Sequence, residues 1–303
     1  MEMSGIHRVL ATADACEEAG IHGLWLGSAF GPEPLLTLAA VAGRTERLRL
    51  GTAIVPTWPV HPVVAAQQAA TLNALSGGRF RLGVGPSHRP VVERLYGIAF
   101  DDPVGHTREY LEIVRALLGS GRVSQQGRHF QVRASLQVED GGTPPVMLSA
   151  LQPRMCRMAG AAADGVLPWL APARYIADVI VPKVAKGAEA AGRPVPPVIA
   201  GVPCVLSDDV TKVRELAGDY LRLILRMPSY RALLVACGAA SADDISESTW
   251  TDAMLDAIVA HGDEEALAAR AREYFATGVD EVMFAPIGGD PAVIPVLGAI
   301  ARG

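Results

Sequence analysis

The 303-residue sequence is poor in charge, and basic residues do not predominate in it. Charged side chains make up 19% of the chain, and 27 lysines and arginines stand against 32 acidic residues, for a net charge of −5. Proteins that bind nucleic acids need a basic surface to face the phosphates. The charge balance therefore predicts no nucleic-acid partner.

The sequence also lacks paired cysteines and long apolar runs. Its four cysteines, Cys16, Cys156, Cys204 and Cys237, are far apart and form no Cys-x-x-Cys pair, so no zinc or other metal site is predicted. Scattered thiols are typical of a reducing cytoplasm. No apolar run has the length of a membrane span, and the N-terminus has no signal-peptide layout. We therefore expect a soluble, cytoplasmic protein without a membrane partner.

What the sequence does contain is apolar material in a regular arrangement. Half of its residues are hydrophobic, which is enough for one large core. Apolar segments without polar alternation recur between helical segments, and such segments indicate parallel strands covered by helices. The seven segments of this kind are 22–27, 48–55, 80–84, 145–150, 165–170, 198–206 and 281–285.

This alternation predicts an α/β protein with a (β/α)₈ barrel, whose usual length brackets this chain. A doubly wound sheet is the alternative, but the Gly-x-Gly-x-x-Gly turn usual after its first strand is absent from HGLWLGSAFGP at 22–32. Two segments depart from the alternation. The polar stretch 121–143 predicts a surface hairpin, and 226–250 predicts a helical lid. We expect a single domain over 1–303.

The stretch RFRLGVGPSHR at 79–89 is the first candidate for a functional site. An apolar strand ends there in Gly83 and Gly85, and Pro86, Ser87 and His88 follow as a polar turn before a helix. α/β proteins usually carry their chemistry at such strand ends. The alternative interpretation is that the glycines only let the strand turn.

Several blocks together resemble one known family. They are EEAGIHGLWLGSAFG at 17–31, the segment 51–93, TREYLEIVRALL at 107–118, AGAAADGVLPWL at 159–170 and TGVDEVMFAP at 277–286. These residues are similar to the luciferase-like monooxygenase superfamily, and more narrowly to its branch of oxidoreductases that use the deazaflavin coenzyme F-420. The resemblance implies a (β/α)₈ barrel, a flavin or deazaflavin at the carboxyl ends of the strands, and a homodimer.

The resemblance also implies which residues hold the cofactor. A non-proline cis peptide at Ala53-Ile54 would lie behind the cofactor ring, the loop 83–88 would lie beside the ring and tail, and the turn 150–152 would help hold the phosphate at the helix that opens at Pro153. The implied cofactor-binding residues are Ala53, Ile54, Gly83, Gly85, Pro86, Ser87, His88, Ala150, Leu151 and Gln152.

The sequence departs from the family pattern in three places. Ser28-Ala29 stands where relatives often keep an Asp-His or Glu-His pair, and His88 stands where they often keep a glutamate. These departures argue against a sugar-phosphate dehydrogenase mechanism. In addition, the family's first strand precedes the helix that here begins near Ser4, and MEMSG is too short and polar to form it. Either the N-terminus lies upstream or the barrel is open where that strand would lie.

His88 is the candidate catalytic residue, because an imidazole beside a hydride carrier can donate a proton near neutral pH. Its alternative role is a hydrogen bond to the cofactor. The candidate substrate pocket consists of Phe30, Trp58, Trp169, Tyr230 and Arg231, for which ordinary packing is the alternative. Among the other histidines, His61 is predicted to cap a helix, His22 and His129 to lie at the surface or at a strand edge, and His106 to lie in a polar first turn.

Three functions remain open from the sequence. The first is hydride transfer between F-420 and a small molecule that carries an imine, an activated C=C bond or a carbonyl. The second is an FMN-dependent monooxygenase that activates oxygen. The third is a relative without catalytic activity that binds a cofactor or ligand, an interpretation motivated by Ala29 and by the absent first strand.

Overall fold

The computed structural model describes residues 5–27, 31–137, 141–224, 226–241 and 251–302. Its strands are β1 (Gly23–Leu26), β2 (Arg49–Thr52), β3 (Val55–Pro56), β4 (Phe80–Gly85), β5 (Arg122–Gln126), β6 (Gln131–Ser135), β7 (Val146–Leu148), β8 (Gly165–Val166), β9 (Ile199–Leu206), β10 (Ala260–Gly262) and β11 (Glu281–Pro286).

The helices lie mainly between these strands. They are α1 (Ile6–Ala19), α2 (Pro34–Ala42), α3 (Pro62–Leu75), α4 (Arg89–Leu95), α5 (Pro103–Ser120), α6 (Pro153–Ala162), α7 (Ala173–Tyr175), α8 (Val181–Ala190), α9 (Val210–Ile224), α10 (Pro228–Ala236), α11 (Asp252–Ile258), α12 (Glu264–Phe275) and α13 (Val293–Arg302), with a π-helical turn, Ile176–Ile180, between α7 and α8.

The parallel strands follow one another around a (β/α)₈ barrel. The first sheet has the order β1-β2-β4-β7-β8, and β9 pairs with β11 in the second. Bridges from Val166 to Val198 and from Trp169 to Gly201 carry the order on from β8 to β9. Seven strands in βα alternation are thus present, as the apolar segments predict. Within the described residues no ladder joins β11 to β1, so the barrel is open along that edge.

Two tryptophans fill the inside of the barrel, because glycines on neighbouring strands leave room for them. A Cβ added at Gly51 would overlap the ring of Trp25, and one added at Gly201 would overlap the ring of Trp169. A small interior cluster, separate from the large core under the helices, consists of Met147, Leu167, Ile199, Trp25, Ile54 and Met283.

The second predicted strand is interrupted by a bulge. β2 pairs with β4 up to Gly51 opposite Arg81, and pairing resumes as β3 with Val55 opposite Val84. The three residues 52–54 therefore face only two residues of β4, which is the pattern of a β-bulge. The hydroxyl of Thr52 replaces the lost ladder bonds, since its Oγ1 donates to the Gly83 carbonyl (2.8 Å) and accepts from the Gly83 N–H (2.9 Å).

Ion pairs hold the amino ends of the strands near the open edge. Glu281, the first residue of β11, lies 2.8 Å from Arg81 of β4 and 3.4 Å from Arg49 of β2. The six residues of β11 are all half-buried, whereas β7 and β8 are fully buried. β11, which borders the opening, is thus more exposed to solvent than β7 and β8, which have a strand on each side.

Some local features differ from the sequence-based expectations. The short strand β10 was not predicted, and it pairs with the end of β9. Gly5, with φ 104°, is the N-cap of α1, and Ser4 lies outside the described residues.

Other local features agree with the sequence-based expectations. The predicted hairpin is present as β5 and β6, and His61 caps α3 by accepting from the Val63 N–H. No described helix is both long enough and apolar enough to cross a bilayer.

The tight contact between Gly83 and Thr52 leads to a stability prediction. A Cβ at Gly83 would overlap the carbonyl oxygen of Thr52. We expect Gly83→Ala to lower the free energy of unfolding by about 1–3 kcal/mol or more, because an overpacked backbone contact cannot relax. The matched control is Gly119→Ala in α5, where nothing lies within 4 Å of the added Cβ and Ala favours the helix. Urea denaturation of both variants tests this, and equal stability would contradict it.

Candidate functional site

The loops that follow the parallel strands meet at one end of the barrel, and most of the predicted site residues lie there. The loop after β3 carries Trp58, the loop after β4 carries Ser87 and His88, and the turn after β7 carries residues 150–152. In barrels of this type this end is where ligands bind. Phe30, which was predicted for the substrate pocket, lies outside the described residues, as do Ser28 and Ala29.

The bulge supplies one wall of this end of the barrel. The peptide bond between Ala53 and Ile54 is cis, as the family resemblance implies. The Ile54 side chain lies against Gly85, where an added Cβ would be 3.3 Å from Ile54 Cδ1 and 2.9 Å from Ser149 Cβ. Atoms of the protein itself thus explain why positions 83 and 85 are glycine. The glycine pattern alone therefore carries no information about a cofactor.

Two loop residues adopt the left-handed backbone conformation. Ser87, after β4, has φ 60°, and Leu170, after β8, has φ 56°. Non-glycine residues rarely adopt this region, and where they do the surrounding structure enforces it, most often at functional sites. Both residues lie at the carboxyl ends of barrel strands.

His88 contacts helix α10, which lies in the predicted lid segment 226–250 and which we call the lid helix; residues 242–250 of that segment lie outside the described residues. His88 Nδ1 lies 3.3 Å from Ser229 Oγ, and the ring lies 5.3 Å from the ring of Tyr230. Burial lowers the pKa of His88 below its ordinary value, because a buried charge is poorly solvated. The ring is therefore neutral around pH 7.

The same lid residue contacts the turn after β7. Gln152 Nε2 donates to the backbone carbonyl of Ser229 over 3.1 Å. The structure therefore brings together His88, Gln152 and Tyr230, three of the predicted site residues, around Ser229. The sequence places Ser229 in the predicted lid segment beside Tyr230 and Arg231 but assigns a role only to those two, since a serine in the first turn of a helix is an ordinary feature.

The turn 150–152 is well placed for an anionic group. The Tyr175 hydroxyl donates to the Leu151 carbonyl over 3.1 Å and fixes the turn. Gln152 is the N-cap of α6, and its side chain makes no capping bond to that helix. The first N–H groups of α6 therefore have no side-chain acceptor there, an arrangement that suits a phosphate. The residues present fit the phosphate of a flavin or deazaflavin.

Trp58 belongs to an aromatic group beside this end of the barrel. Its ring stacks on His106 at a centroid distance of 3.7 Å and contacts Phe100 at 5.2 Å. His106 lies in the first turn of α5, as predicted, but its surroundings are aromatic and not polar. This histidine is buried, and burial lowers its pKa to about 4. His129, predicted to be a surface or strand-edge residue, lies in the turn just before β6; its side chain is 13% exposed and contacts Asp102.

The remaining predicted pocket residues lie at separate places. Trp169 packs inside the barrel over Gly201. Tyr230 is buried against His88, whereas Arg231, the next residue of the lid helix, is half-buried. The structure thus brings Tyr230 to the candidate site, and the role of Trp169 and Arg231 in a pocket stays a prediction.

Glu109 of α5 holds the hairpin against the aromatic group. Its carboxylate accepts hydrogen bonds from the backbone N–H groups of Arg128 (3.0 Å), His129 (2.9 Å) and Phe130 (3.0 Å). This places the ring of Phe130 5.0 Å from that of His106. Burial acts to raise the pKa of Glu109, but the three backbone bonds and the nearby His129 outweigh it, so the pKa lies below its ordinary value.

Comparisons with known proteins agree with this architecture. A family model described as luciferase-like monooxygenase matches residues 1–281. A 5,10-methylenetetrahydromethanopterin reductase from Methanolobus tindarius is 27% identical over 294 residues, which cover 91% of this chain and 89% of the relative. An F420-dependent glucose-6-phosphate dehydrogenase from Amycolatopsis mediterranei is 26% identical over 309 residues, which cover 95% of this chain and 91% of the relative.

A solved structure shows the same fold. The coenzyme F420 dependent tetrahydromethanopterin reductase from Methanopyrus kandleri aligns with a TM-score of 0.80 at 21% identity, covering 99% of this chain and 94% of the other. This likeness confirms the barrel fold that the apolar segments predict.

The buried carboxylate of Glu109 predicts a pH-dependent stability. Because its pKa is lowered on folding, its contribution is complete above the unfolded value of 4.5 and is lost as the pH falls through the folded pKa. We expect Glu109→Gln to cost about 1–3 kcal/mol at neutral pH, since an amide is a weaker acceptor for three N–H groups. The difference from the wild type should shrink on acidification.

Chemical denaturation at neutral and acidic pH measures this difference. The control is Glu112→Gln on the same helix, whose side chain is 53% exposed and should contribute little. A cost for Glu109→Gln that stays constant with pH would show that the carboxylate charge does not hold the hairpin.

Proposed function

The chain belongs to the luciferase-like monooxygenase family, and from this premise we propose that it is an oxidoreductase that transfers a hydride between coenzyme F-420 and a small organic substrate. Relatives that align over nine tenths of the chain support this, because one is named an F420-dependent dehydrogenase and the aligned solved structure is an F420-dependent reductase. The substrate is a molecule in which an alcohol, amine or saturated carbon pair interconverts with a carbonyl, imine or activated C=C bond.

The observation that carries this proposal is the convergence of three segments at one end of the barrel, two of which contact the lid helix. The bulge at Ile54, the left-handed turn at Ser87 and the α6 N-terminus at Gln152 lie at the carboxyl ends of neighbouring strands. The bound deazaflavin supplies a carbon that accepts or donates a hydride but does not activate oxygen. Ile54 would support its ring, and the turn 150–152 would hold its phosphate.

Hydride transfer to or from a polar bond also needs a proton acceptor or donor. His88, on the loop after β4, is a titratable side chain at this end of the barrel that the described structure places against the lid helix. The lowered pKa of His88 favours the neutral imidazole, which suits a proton acceptor during oxidation of a substrate. We assign this role to His88.

Two alternatives remain and differ in the cofactor. An FMN-dependent monooxygenase would use the same loops with a flavin that reacts with oxygen. A relative without catalytic activity would bind a ligand and leave His88 without a chemical role. The relative named an F420-dependent dehydrogenase, which aligns over most of the chain, favours F-420 over both.

We infer that the protein is cytoplasmic and forms a single domain. All four cysteines are buried and free, which fits a reducing compartment. One large hydrophobic cluster runs from α1 to α13, which fits a chain that folds as one unit.

We also infer a homodimer that forms through helices α2 and α3. Neither helix contains a charged residue, although their outer faces are exposed. Leu36 is 72% exposed on α2, and Val64 is 44% exposed on α3. Two neighbouring helices with an uncharged outer face are unusual on a monomer and fit a self-complementary interface.

Cofactor identity is the direct test of the proposed activity. We expect protein purified from an F-420-producing host to carry the deazaflavin absorbance band. Added F-420 should also raise the melting temperature, because a hundredfold excess over Kd stabilises the folded protein by about 2.7 kcal/mol. The control is FMN at the same concentration. A bound flavin with no response to F-420 would support the monooxygenase, and no response to either cofactor would support the non-catalytic alternative.

The dimer is tested by the mass of the protein in solution. Sedimentation should give twice the chain mass of 31.8 kDa. Leu36→Glu should shift the protein to the monomer, because it would bury a charge at the interface. The control is Phe275→Glu, which puts the same charge in place of another exposed apolar side chain (48%), on α12. A monomeric wild type, or a dimer that Phe275→Glu disrupts and Leu36→Glu does not, would contradict this interface.

A further inference from the structure

One residue of the lid helix contacts two loops of the candidate site. Ser229 is the second residue of α10, after Pro228. Its side chain reaches His88 on the loop after β4, and its backbone carbonyl accepts from Gln152 on the turn after β7. The position of the lid helix and the hydrogen bonding of the His88 ring therefore depend on the same residue.

The hydrogen bond to Ser229 bears on which ring nitrogen of His88 carries the proton. Among the described residues, Ser229 is the hydrogen-bond partner that the structure gives the ring, through Nδ1. A neutral imidazole has one N–H, and the partner of one nitrogen decides the state of the other. If Nδ1–H donates to Ser229 Oγ, then Nε2 has a free lone pair. This bond also persists when the ring takes up a second proton, so the ring need not reorganise.

We propose that Ser229 is a positioning residue that accepts a hydrogen bond from Nδ1–H of His88 and thereby leaves Nε2 unprotonated as the base of the reaction. The proposal rests on the proposed function, because it gives that site its proton acceptor and favours substrates with a hydroxyl group. It also makes the lid helix part of the catalytic arrangement, since His88 has this orientation only when α10 is docked.

The proposed step balances in atoms and electrons. The hydroxyl proton of a substrate alcohol passes to Nε2 of His88, and the ring becomes an imidazolium whose Nδ1–H bond to Ser229 is unchanged. The O–H electron pair would then form the C=O bond, and the oxidised coenzyme, held as proposed above by Ile54 and the turn 150–152, would supply the acceptor for the hydride of the carbinol carbon. In the reverse direction the imidazolium returns the proton to the carbonyl oxygen.

The other groups around His88 do not replace Ser229 in this role. On α4, Arg89 pairs with Glu93 at 2.6 Å and donates to the Phe100 carbonyl. On the lid helix, the ring of Tyr230 is tilted by 48° to that of His88, and Arg231 is the next residue. Gln152, on the turn after β7, is uncharged. The lowered pKa of His88 follows from burial, which agrees with a neutral base under the lid.

The test reads the tautomer of His88 directly in the protein without cofactor. Histidine-labelled protein, studied by two-dimensional ¹H–¹⁵N NMR, should show Nδ1–H in the wild type, with His88→Gln used to assign the signal. Ser229→Ala should move the ring to the Nε2–H form that free imidazole favours. Ser229→Thr, which keeps a hydroxyl, should restore Nδ1–H. A wild type in the Nε2–H form, or a Ser229→Ala variant with an unchanged tautomer, would overturn the proposal.

A second variant separates the hydroxyl from lid docking. Gln152→Ala removes the other contact to Ser229 but leaves its hydroxyl, so the tautomer should remain Nδ1–H. If Gln152→Ala changes the tautomer as much as Ser229→Ala does, the effect belongs to docking of the lid and the proposal is wrong.

Kinetics then connect the tautomer with the reaction. With F-420 and an alcohol that is turned over, Ser229→Ala should lower kcat about tenfold or more with little change in KM, and Ser229→Thr should recover most of it; loss of the base in His88→Gln should cost about 10²–10⁴-fold. A protein that binds no F-420 would refute the proposed function while leaving the NMR result to stand. Normal turnover by Ser229→Ala would refute only the role of Ser229.

Discussion

The candidate site depends on the one-residue bulge that separates β2 from β3. A parallel ladder without it would keep Gly51 and Val55 in one continuous register with β4, and the chain would not turn at Ala53-Ile54. Thr52 makes the bulge tolerable, because its hydroxyl both donates to and accepts from the backbone of Gly83. The extra residue directs Ile54 to Gly85, which places one wall of the site beside the loop of His88.

The interior of the barrel below the candidate site is filled by large side chains. Trp25 and Trp169 occupy the space that Gly51 and Gly201 leave, so the inner surface is packed by a few large rings. β11 borders the opening and, in the part of the chain that the structure describes, lacks a neighbouring strand on that side. Its amino end is held by Glu281, which pairs with Arg49 and Arg81 near the amino ends of β2 and β4. The ends opposite the site are thus fixed by charge, and the interior below the site by packing.

The sequence is sufficient to predict the strands, because buried parallel strands appear as apolar runs. It does not separate β2 from β3, since the bulge arises from backbone geometry and not from polarity, and it does not indicate β10, which has only three residues. The burial of His106 could have been predicted. His106 lies four residues before Tyr110, on the apolar face of α5 that continues to Ile113 and Leu117. Ser229 could not, because its contact with His88 joins residues 141 positions apart.

The lid helix influences His88 in two ways that act in the same direction. Tyr230 packs against the ring, which reduces its exposure to water and favours the neutral imidazole, and Ser229 offers a partner to Nδ1. A ring that lost the lid would regain water and become easier to protonate, and it would also lose the partner that orients it. Protonation would occupy the lone pair of Nε2, and loss of the Nδ1 partner would allow the tautomer with the proton on Nε2. A base that exists only beneath a docked helix is therefore coupled to closure of the site, because one helix provides both the burial and the hydrogen bond.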